Sequence, residues 1–183
     1  MKKAEIFRIF ILILLGDNEI FGTIPKLLKN HVNLIFLDLN GNHFTCIIPT
    51  TFEKFEKMER LGLFGNRLSG EIPTSLDNLT QLFEFALFNN GFEGTIPPSL
   101  VNRQNLQILD ISQNNLNGSI LQQLIGISSL PLLYINLSHN SFTGKLPFEV
   151  GNLKNINQMD ISKNNLFGEI PTSIGLHINK SKS

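Results

Sequence analysis

The sequence of 183 residues predicts an α/β solenoid, in which short repeats stack and each adds one strand to a parallel sheet. Three observations predict this class: an asparagine recurs at a nearly fixed spacing, apolar residues keep the same offsets from it, and a Gly-x-Ile-Pro element follows most copies. Successive anchor asparagines are 24 residues apart, apart from one gap of 26. The seven anchors are Asn18, Asn42, Asn66, Asn90, Asn114, Asn140 and Asn164.

Each repeat opens with a predicted strand that precedes its anchor. Apolar residues stand eight, five and three positions before the asparagine, as Met58, Leu61 and Leu63 do before Asn66. The segment LGLFGN alternates inward leucines with outward residues, which is the period of a strand with one buried face. Because every repeat runs in the same direction, neighbouring strands are expected to pair in parallel.

The anchor asparagine is expected to end the strand. Its side-chain amide both donates and accepts hydrogen bonds, so seven stacked asparagines can form a ladder of bonds to the backbone. Glycine follows four positions later in six of the seven repeats, where it suits a tight turn or a positive φ. Cys46 replaces it once, and is predicted to be a small buried substitute.

Proline stands seven positions after the anchor in every repeat except the one with Leu121, and suits the rim of the sheet because it has no N–H group. Apolar residues then recur every third position, as in Leu76, Leu79 and Leu82, which favours a 3₁₀ or helical return segment. Two extra residues between positions 122 and 132 are expected to bulge the convex side without breaking the sheet. A single repeat cannot bury its own apolar edge, so neighbours must stack.

The pattern L-x-x-L-x-L-x-x-N-x-L-x-G-x-I-P resembles the plant-type leucine-rich repeat of receptor-like kinases, receptor-like proteins and polygalacturonase inhibitors. The resemblance extends from about Phe7 to Ile174. It implies a right-handed superhelix of seven repeats, with a parallel sheet on the concave face and a 3₁₀ or irregular convex side. We predict one domain over residues 1–175 and a polar tail over residues 176–183. Family members usually carry cysteine caps, which this sequence lacks.

Residues 1–16 admit two interpretations. A basic start followed by the apolar run Ile9–Leu15 is typical of a short signal peptide. However, Phe10, Ile13 and Leu15 keep the repeat offsets before Asn18, and no small-residue cleavage site follows, so a repeat is favoured. Terminal repeats of a solenoid usually need a polar outer face. We therefore expect an exposed apolar edge at the first strand, and a chain that is a fragment, a truncated gene product or the result of an incomplete gene model.

The composition excludes several classes of function. Zero formal net charge argues against a nucleic-acid footprint, and no apolar run is long enough for a membrane-spanning helix. Catalytic, phosphate-binding and metal-binding motifs are absent, so no catalytic residue, cofactor or metal is predicted. Asp110 and Asp160 stand two repeats apart, about 10 Å by strand spacing, which approaches the separation in an inverting glycosidase. We favour the simpler interpretation that this repeat class commonly carries Asp there.

The residues six, four and two positions before each anchor are predicted to form a binding face, because they point away from the core. In repeats two to four they include three phenylalanines beside an arginine and a glutamate, the composition of an interface hot spot. Gly62 and Ala86 are expected to leave a shallow trough between the aromatic side chains. The alternatives are loss of selection for binding, or aromatics that lie flat against their neighbours. The predicted partner-binding residues are Phe36, Asp38, Arg60, Phe64, Glu84, Phe88, Asp110 and Tyr134.

The resemblance implies a non-catalytic recognition module for a protein or peptide ligand or a co-receptor, similar to the ectodomain of a receptor-like kinase at the cell surface. It implies no nucleic-acid partner, and contact with a membrane only through segments absent from this chain. The alternatives are a soluble polygalacturonase-inhibitor-like protein and a truncated fragment without independent function. Sequons make Asn78, Asn117 and Asn136 candidate N-glycosylation sites, and a glycan on Asn136 would confine partners to the N-terminal half of the face.

Overall fold

Two seven-stranded parallel sheets form the framework of the chain. The computed structural model describes residues 11–98, 100, 105–120, 131–153 and 155–175. The first sheet takes one three-residue strand from each repeat, in chain order. Its strands are β1 (Leu12–Leu14), β3 (Phe36–Asp38), β5 (Arg60–Gly62), β7 (Glu84–Ala86), β9 (Ile108–Asp110), β11 (Tyr134–Asn136) and β13 (Gln158–Asp160).

Strands of the first sheet pair in register, so equivalent positions of successive repeats lie side by side. Leu12 of β1 lies opposite Phe36, and Phe36 lies opposite Arg60. The register survives the longer repeat, because Tyr134 of β11 lies opposite Ile108 of β9. The prediction that the insertion leaves the ladder of strands intact is therefore confirmed. The bulge predicted for the insertion falls mainly in residues 121–130, which lie outside the described residues.

A second parallel sheet runs through the segment that follows each anchor asparagine. The sequence pattern did not predict it, because Asn-x-Leu-x-Gly is polar and glycine-rich and indicates a turn. Stacking brings equivalent segments together and pairs their main-chain groups, so these strands form without strong local preference. Its strands are β2 (Phe21–Thr23), β4 (His43–Cys46), β6 (Arg67–Glu71), β8 (Gly91–Gly94), β10 (Asn115–Ser119), β12 (Ser141–Gly144) and β14 (Asn165–Leu166).

The return segments that the structure describes in full are short 3₁₀ helices, one of the two alternatives that the spacing predicted. Several follow an extended proline; Pro73, for example, has φ −73° and ψ 139° and precedes the helix that begins at Thr74. Proline suits this place because its missing N–H group is not needed by the first turn of the helix. The described 3₁₀ helices are Lys26–Asn30, Thr50–Lys54, Thr74–Asn78, Phe148–Asn152 and Thr172–Gly175.

The core is a column of apolar side chains that continues through the stacked repeats. In repeats two to six, the residues eight, five and three positions before the anchor are at most 2% exposed, as predicted. At the first strand, Ile11, Leu12 and Leu14 are 45–56% exposed, which agrees with the expected apolar edge. Pairing of β1 with β3 also gives residues 12–14 the arrangement that the repeat interpretation requires. Residues 1–10, including Phe10, lie outside the described residues.

Cys46 is exposed, so the prediction of a small buried substitute for glycine is wrong. Its backbone has φ 70°, in the left-handed region. The equivalent Gly70 shows where a side chain points from this position: an added Cβ would lie 2.8 Å from Cγ2 of Ile47, itself exposed on the outer surface. The positive φ therefore turns the side chain away from the core.

Replacing Cys46 by glycine is expected to raise the free energy of unfolding by about 0.5–1 kcal/mol. The left-handed conformation costs an L-residue about 1–2 kcal/mol, which exceeds the extra entropy that glycine loses on folding. Urea denaturation of the two proteins measures the difference. Gly70→Ala is the reverse change and should cost more than about 1 kcal/mol, because it adds both the strain and the contact with Ile47. A Cys46→Gly chain less stable than its parent would contradict this account.

Candidate partner-binding face

The face of the first sheet that points away from the core is here named the solvent face; it consists of the residues six, four and two positions before each anchor. Strand pairing brings the predicted residues of repeats two to four into one row, in which Phe36, Arg60 and Glu84 are direct neighbours. Asp110 and Tyr134 lie further along the same sheet. The parallel register of the sheet thus fixes the order in which aromatic, charged and polar side chains follow one another across this face.

Arg60 is the centre of an aromatic–arginine cluster made of Phe36, Arg60, Phe83 and Glu84. Its guanidinium carbon lies 5.6 Å from the ring centroid of Phe36 and 4.8 Å from that of Phe83. Its Nε lies 3.4 Å from Oε2 of Glu84. Such partly exposed cation–π and ion-pair contacts add little stability, but they hold a long side chain in one place. The arginine is therefore pre-positioned on the surface.

Phe64 and Phe88 stack on each other beyond the C-terminal ends of β5 and β7. Their ring centroids are 4.2 Å apart and the planes differ by 10°. Neither side chain belongs to the buried core, and both are half-buried. The two rings lie flat against each other, which is the alternative interpretation given above for aromatic residues on this face. Part of each ring remains exposed to solvent.

The expected trough at Gly62 is filled, so that part of the prediction is wrong. A Cβ at Gly62 would lie 2.6 Å from Nδ2 of Asn40, which means that the Asn40 side chain covers the glycine. The amide is held there because its Oδ1 accepts a hydrogen bond of 3.0 Å from the Phe64 N–H. A small residue left space for the side chain of the preceding repeat rather than for a ligand.

Repeats five and six carry a polar network on the same face. The Tyr134 hydroxyl donates to Oδ2 of Asp110 over 3.2 Å. The Asn136 amide nitrogen lies 3.3 Å from both the Asp110 Oδ2 and the Tyr134 hydroxyl. On the other carboxylate oxygen of Asp110, the Ser112 hydroxyl donates over 2.6 Å. Asp110 and Tyr134 are thus brought together, at some distance along the sheet from the aromatic–arginine cluster.

Two groups on this face have displaced pKa values. Burial raises the pKa of the Tyr134 hydroxyl, and the nearby Asp110 carboxylate adds to the rise, against an opposing hydrogen bond with Asn136. The backbone N–H of Ser162 lowers the pKa of Asp160 by donating to its carboxylate, and the Ser162 hydroxyl acts in the same direction. The two shifts favour a neutral Tyr134 hydroxyl and an ionised Asp160 carboxylate.

The acid side of the stability curve is expected to depend on Asp160. Because its pKa is lower in the folded state, its contribution is present above the ordinary aspartate pKa and is lost as the pH falls through the folded value. Thermal unfolding of the parent and of Asp160→Asn between about pH 6 and pH 2 measures this effect. The parent midpoint should fall more steeply than that of the variant. Parallel curves would show that Asp160 contributes nothing to the pH dependence.

The anchor asparagines stand in one row between the two sheets. In the Asn66 example, Nδ2 donates to the carbonyls of Leu39, Leu63 and Phe64 over 2.9–3.2 Å. Its Oδ1 accepts from the Phe44 N–H over 3.0 Å. The same set of bonds recurs at Asn42, Asn90, Asn114, Asn140 and Asn164, and Asn18 donates to Leu15 and Gly16 of its own repeat. Each amide therefore ties its repeat to the preceding one.

A family model for the leucine-rich repeat matches four segments that together make up half of the sequence. The chain belongs to the leucine-rich repeat family. A comparison with curated protein sequences gave no match. The matched residues are 33–55, 57–79, 105–127 and 131–153.

Solved plant receptor ectodomains have the same fold as this leucine-rich repeat chain. The ectodomain of the receptor kinase GASSHO1/SCHENGEN3 from Arabidopsis thaliana, in complex with CASPARIAN STRIP INTEGRITY FACTOR 2, is 34% identical with a TM-score of 0.80, over 87% of this chain and 19% of that one. The plant peptide hormone receptor RGFR1, in complex with RGF2, is 36% identical with a TM-score of 0.84, over 91% and 26%. The Arabidopsis receptor kinase HAESA, in complex with the peptide hormone IDA and the co-receptor SERK1, is 36% identical with a TM-score of 0.82, over 88% and 27%.

These similarities confirm the plant-type repeat. The leucine-rich repeat chain spans about a quarter or less of the length of these receptor chains. None of the helices in the described ranges is both long and apolar enough to cross a membrane. The described ranges also contain no group of three or more side chains suited to hold a metal ion.

The strand aspartates of the leucine-rich repeat chain cap their own strand ends. Oδ1 of Asp38 accepts from the backbone N–H of Asn40 over 3.0 Å. Asp110 and Asp160 make the same bond to the residue two positions later. This shared geometry supports the interpretation that Asp belongs to the repeat framework rather than to a hydrolytic pair.

The three candidate glycosylation sites of the leucine-rich repeat chain, at Asn78, Asn117 and Asn136, differ in their surroundings. Asn78 ends a 3₁₀ helix and Asn117 lies within β10, and both are exposed. Asn136 is half-buried, and its amide takes part in the network with Asp110 and Tyr134. The geometry favours Asn78 and Asn117 over Asn136 as the candidate glycosylation sites.

Phe83 is a functional candidate that the sequence pattern missed. It stands directly before β7, seven positions before its anchor, and the offsets used to define core and face did not include this position. The signal available was a large aromatic at an offset that carries glutamate and glutamine in the two adjacent repeats. Its contact with Arg60 extends the cluster to the rim of the first sheet.

Proposed function

We propose that the chain is a non-catalytic recognition module that binds a protein or peptide partner on the solvent face of its first sheet. The observation that carries the proposal is the surface position of Phe36, Arg60, Phe64 and Phe88. These side chains contribute to neither the buried core nor the asparagine ladder. Clustered aromatic residues with an arginine are the usual centre of a protein interface.

The similar receptor structures support a peptide as the partner class. RGFR1 is a peptide hormone receptor in complex with RGF2, and HAESA is in complex with the peptide hormone IDA and the co-receptor SERK1. By this analogy, the chain acts outside the cell or at its surface, in defence or developmental signalling, and a co-receptor is a second partner. A kinase activity would belong to segments beyond these residues.

The two ends of the proposed binding surface carry different kinds of side chain, and this difference sets the direction in which a peptide would bind. Repeats two to four present aromatic rings and the pre-positioned Arg60, whereas repeats five and six present the Asp110 carboxylate with hydroxyl groups around it. An apolar part of a peptide would therefore pack on Phe64 and Phe88. Polar or basic groups would bind further along, where the network offers acceptors.

Binding is tested by display of a random peptide library against the purified chain. Peptides that are enriched should bind the parent chain and bind Phe64→Ala about 5–30-fold more weakly, which corresponds to 1–2 kcal/mol. Isothermal titration with one enriched peptide gives the two dissociation constants.

Phe148→Ala is the matched control, because Phe148 is 60% exposed but lies on a return helix away from the first sheet. Its affinity should equal that of the parent. Equal loss in both variants, or no loss in Phe64→Ala and Arg60→Ala, would remove the solvent face as the binding surface. Urea denaturation of each variant confirms that the fold is retained.

A further inference from the structure

A hollow of about 490 Å³ lies at the rim of the first sheet, where the chain runs into β5, β7 and β9. Glu59, Phe83 and Gln107 stand immediately before these three strands and line one side of it. Three residues that stand two positions earlier in successive repeats line the other side: Gln81, Asn105 and Pro131.

Backbone hydrogen bonds fix the spacing of this lining. The Phe83 N–H donates to the Glu59 carbonyl over 2.9 Å, and the Gln107 N–H donates to the Phe83 carbonyl over 2.9 Å. With neighbouring parallel strands about 4.8 Å apart, the three side chains span about 10 Å. That width matches one or two sugar rings. The lining residues are held by the edge of a sheet rather than by a free loop.

The hollow is open because the rim is built differently here from the rim of the earlier repeats. Between repeats two and three, Nζ of Lys57 donates to Oδ1 of Asn33 over 2.7 Å and bridges the equivalent positions. In the next repeats, Asn105 instead donates its Nδ2 to the Thr80 carbonyl over 3.1 Å. This bond orients the Asn105 amide and leaves its Oδ1 as an acceptor.

The lining of the hollow combines hydrogen-bond donors and acceptors with two apolar side chains. Amide side chains of Gln81, Asn105 and Gln107 offer both kinds of group, and the Glu59 carboxylate accepts only. In the described part of the chain, the Glu59 carboxylate and the Gln107 amide make no hydrogen bond or ion pair. Phe83 and Pro131 supply apolar surface beside them.

We infer that this hollow binds a neutral sugar, as one or two rings of a saccharide. Each sugar hydroxyl is both a donor and an acceptor of hydrogen bonds. A side-chain amide can pair with it in both roles, and a carboxylate can accept hydrogen bonds from two neighbouring hydroxyls. The apolar face of a sugar ring packs against an aromatic ring or a proline. An acidic sugar is disfavoured because Glu59 is the charged group in the lining, and the nearby Arg60, which lies over the Phe83 ring, is paired with Glu84.

The hollow lies apart from the Phe64–Phe88 pair, and it meets the aromatic–arginine cluster at one residue, because the Arg60 guanidinium lies 4.8 Å from the centroid of the Phe83 ring. Phe64 and Phe88 lie at the opposite ends of the strands and take no part in the hollow. Loss of peptide binding in Phe64→Ala therefore leaves the sugar site intact, and the two proposals can fail separately.

The test uses the ¹⁵N-labelled full chain, titrated with cellobiose and with lactose while the side-chain amide signals are followed by NMR. At least one disaccharide should produce saturable shifts at Gln81, Asn105 and Gln107. Gln107→Ala should raise the dissociation constant at least about tenfold, because it removes a donor and an acceptor together. Asn157→Ala changes the equivalent, exposed position of the last repeat and should leave the dissociation constant unchanged.

Two outcomes would overturn the inference. One is an equal dissociation constant for the parent and Gln107→Ala, and the other is the absence of a saturable shift with both disaccharides. In the second case, a shift of the same amides by N-acetylarginine amide would make the hollow a subsite for a basic peptide side chain. Glu59→Gln retains the shape and distinguishes these cases further, because it should weaken a basic ligand much more than a neutral sugar.

Discussion

Replacing Leu109 by alanine is expected to lower the free energy of unfolding by about 2–5 kcal/mol. Leu109 is fully buried in the middle of the first sheet, where it lies opposite Phe85 on one side and Ile135 on the other. Truncation removes apolar contact and leaves a cavity that these neighbours cannot close, because strand pairing holds their backbones at a fixed separation. Each repeat contacts mainly its two neighbours, so the lost stability is that of the central repeat and its two interfaces.

Urea denaturation followed by circular dichroism measures the change. Leu133→Ala is the control, since Leu133 has the same side chain one repeat further on but is 40% exposed. It should cost less than about 1 kcal/mol. Similar losses at the two positions would mean that the column of leucines is not the tightly packed core described above.

Replacing Asn114 by alanine is expected to lower the free energy of unfolding by about 3–5 kcal/mol, because the anchor asparagine satisfies buried backbone groups. Asn114 is buried; its amide donates to the carbonyls of Leu87, Ile111 and Ser112 over 3.0–3.1 Å. Its Oδ1 accepts from the Phe92 N–H over 3.0 Å. Alanine leaves buried backbone groups in two repeats without a partner, and each costs about 1–3 kcal/mol.

Asn18→Ala is the matched control for the ladder. Asn18 is exposed and donates to two carbonyls of its own repeat, which water can reach after the change. Its loss should stay below about 1 kcal/mol. Asn114→Asp provides a second test, because a carboxylate keeps the bond to Phe92 but faces three carbonyl oxygens. The variant should therefore become less stable as the pH rises through the raised pKa of the new side chain.

The repeat itself could be predicted because the same physical constraint acts on it seven times. Met58, Leu61 and Leu63 occupy offsets that recur in every copy, and a local accident at one position does not hide the period. The asparagine ladder followed from the amide chemistry of one residue type at one place. Period and hydrogen-bonding capacity thus account for the first sheet, the core and the return helices.

The details that escaped prediction depend on contacts between repeats. Asn40 fills the space beside Gly62, although the two lie 22 positions apart and belong to different copies. The outward turn of Cys46 depends on its φ, which the presence of a cysteine does not reveal. The second sheet forms by main-chain pairing of segments whose composition indicates turns. In the candidate site, Phe83 was missed because its role comes from Arg60 of the preceding repeat.

The in-register pairing of β9 with β11 has a practical consequence for protein engineering. Two additional residues in that copy leave the register of β9 with β11 unchanged, so the repeat accommodates a longer chain without a change in strand pairing. Grafted tags or epitopes should thus be tolerated between positions 121 and 130. Exchange of whole 24-residue repeats would then change the side chains on the solvent face without redesign of the scaffold.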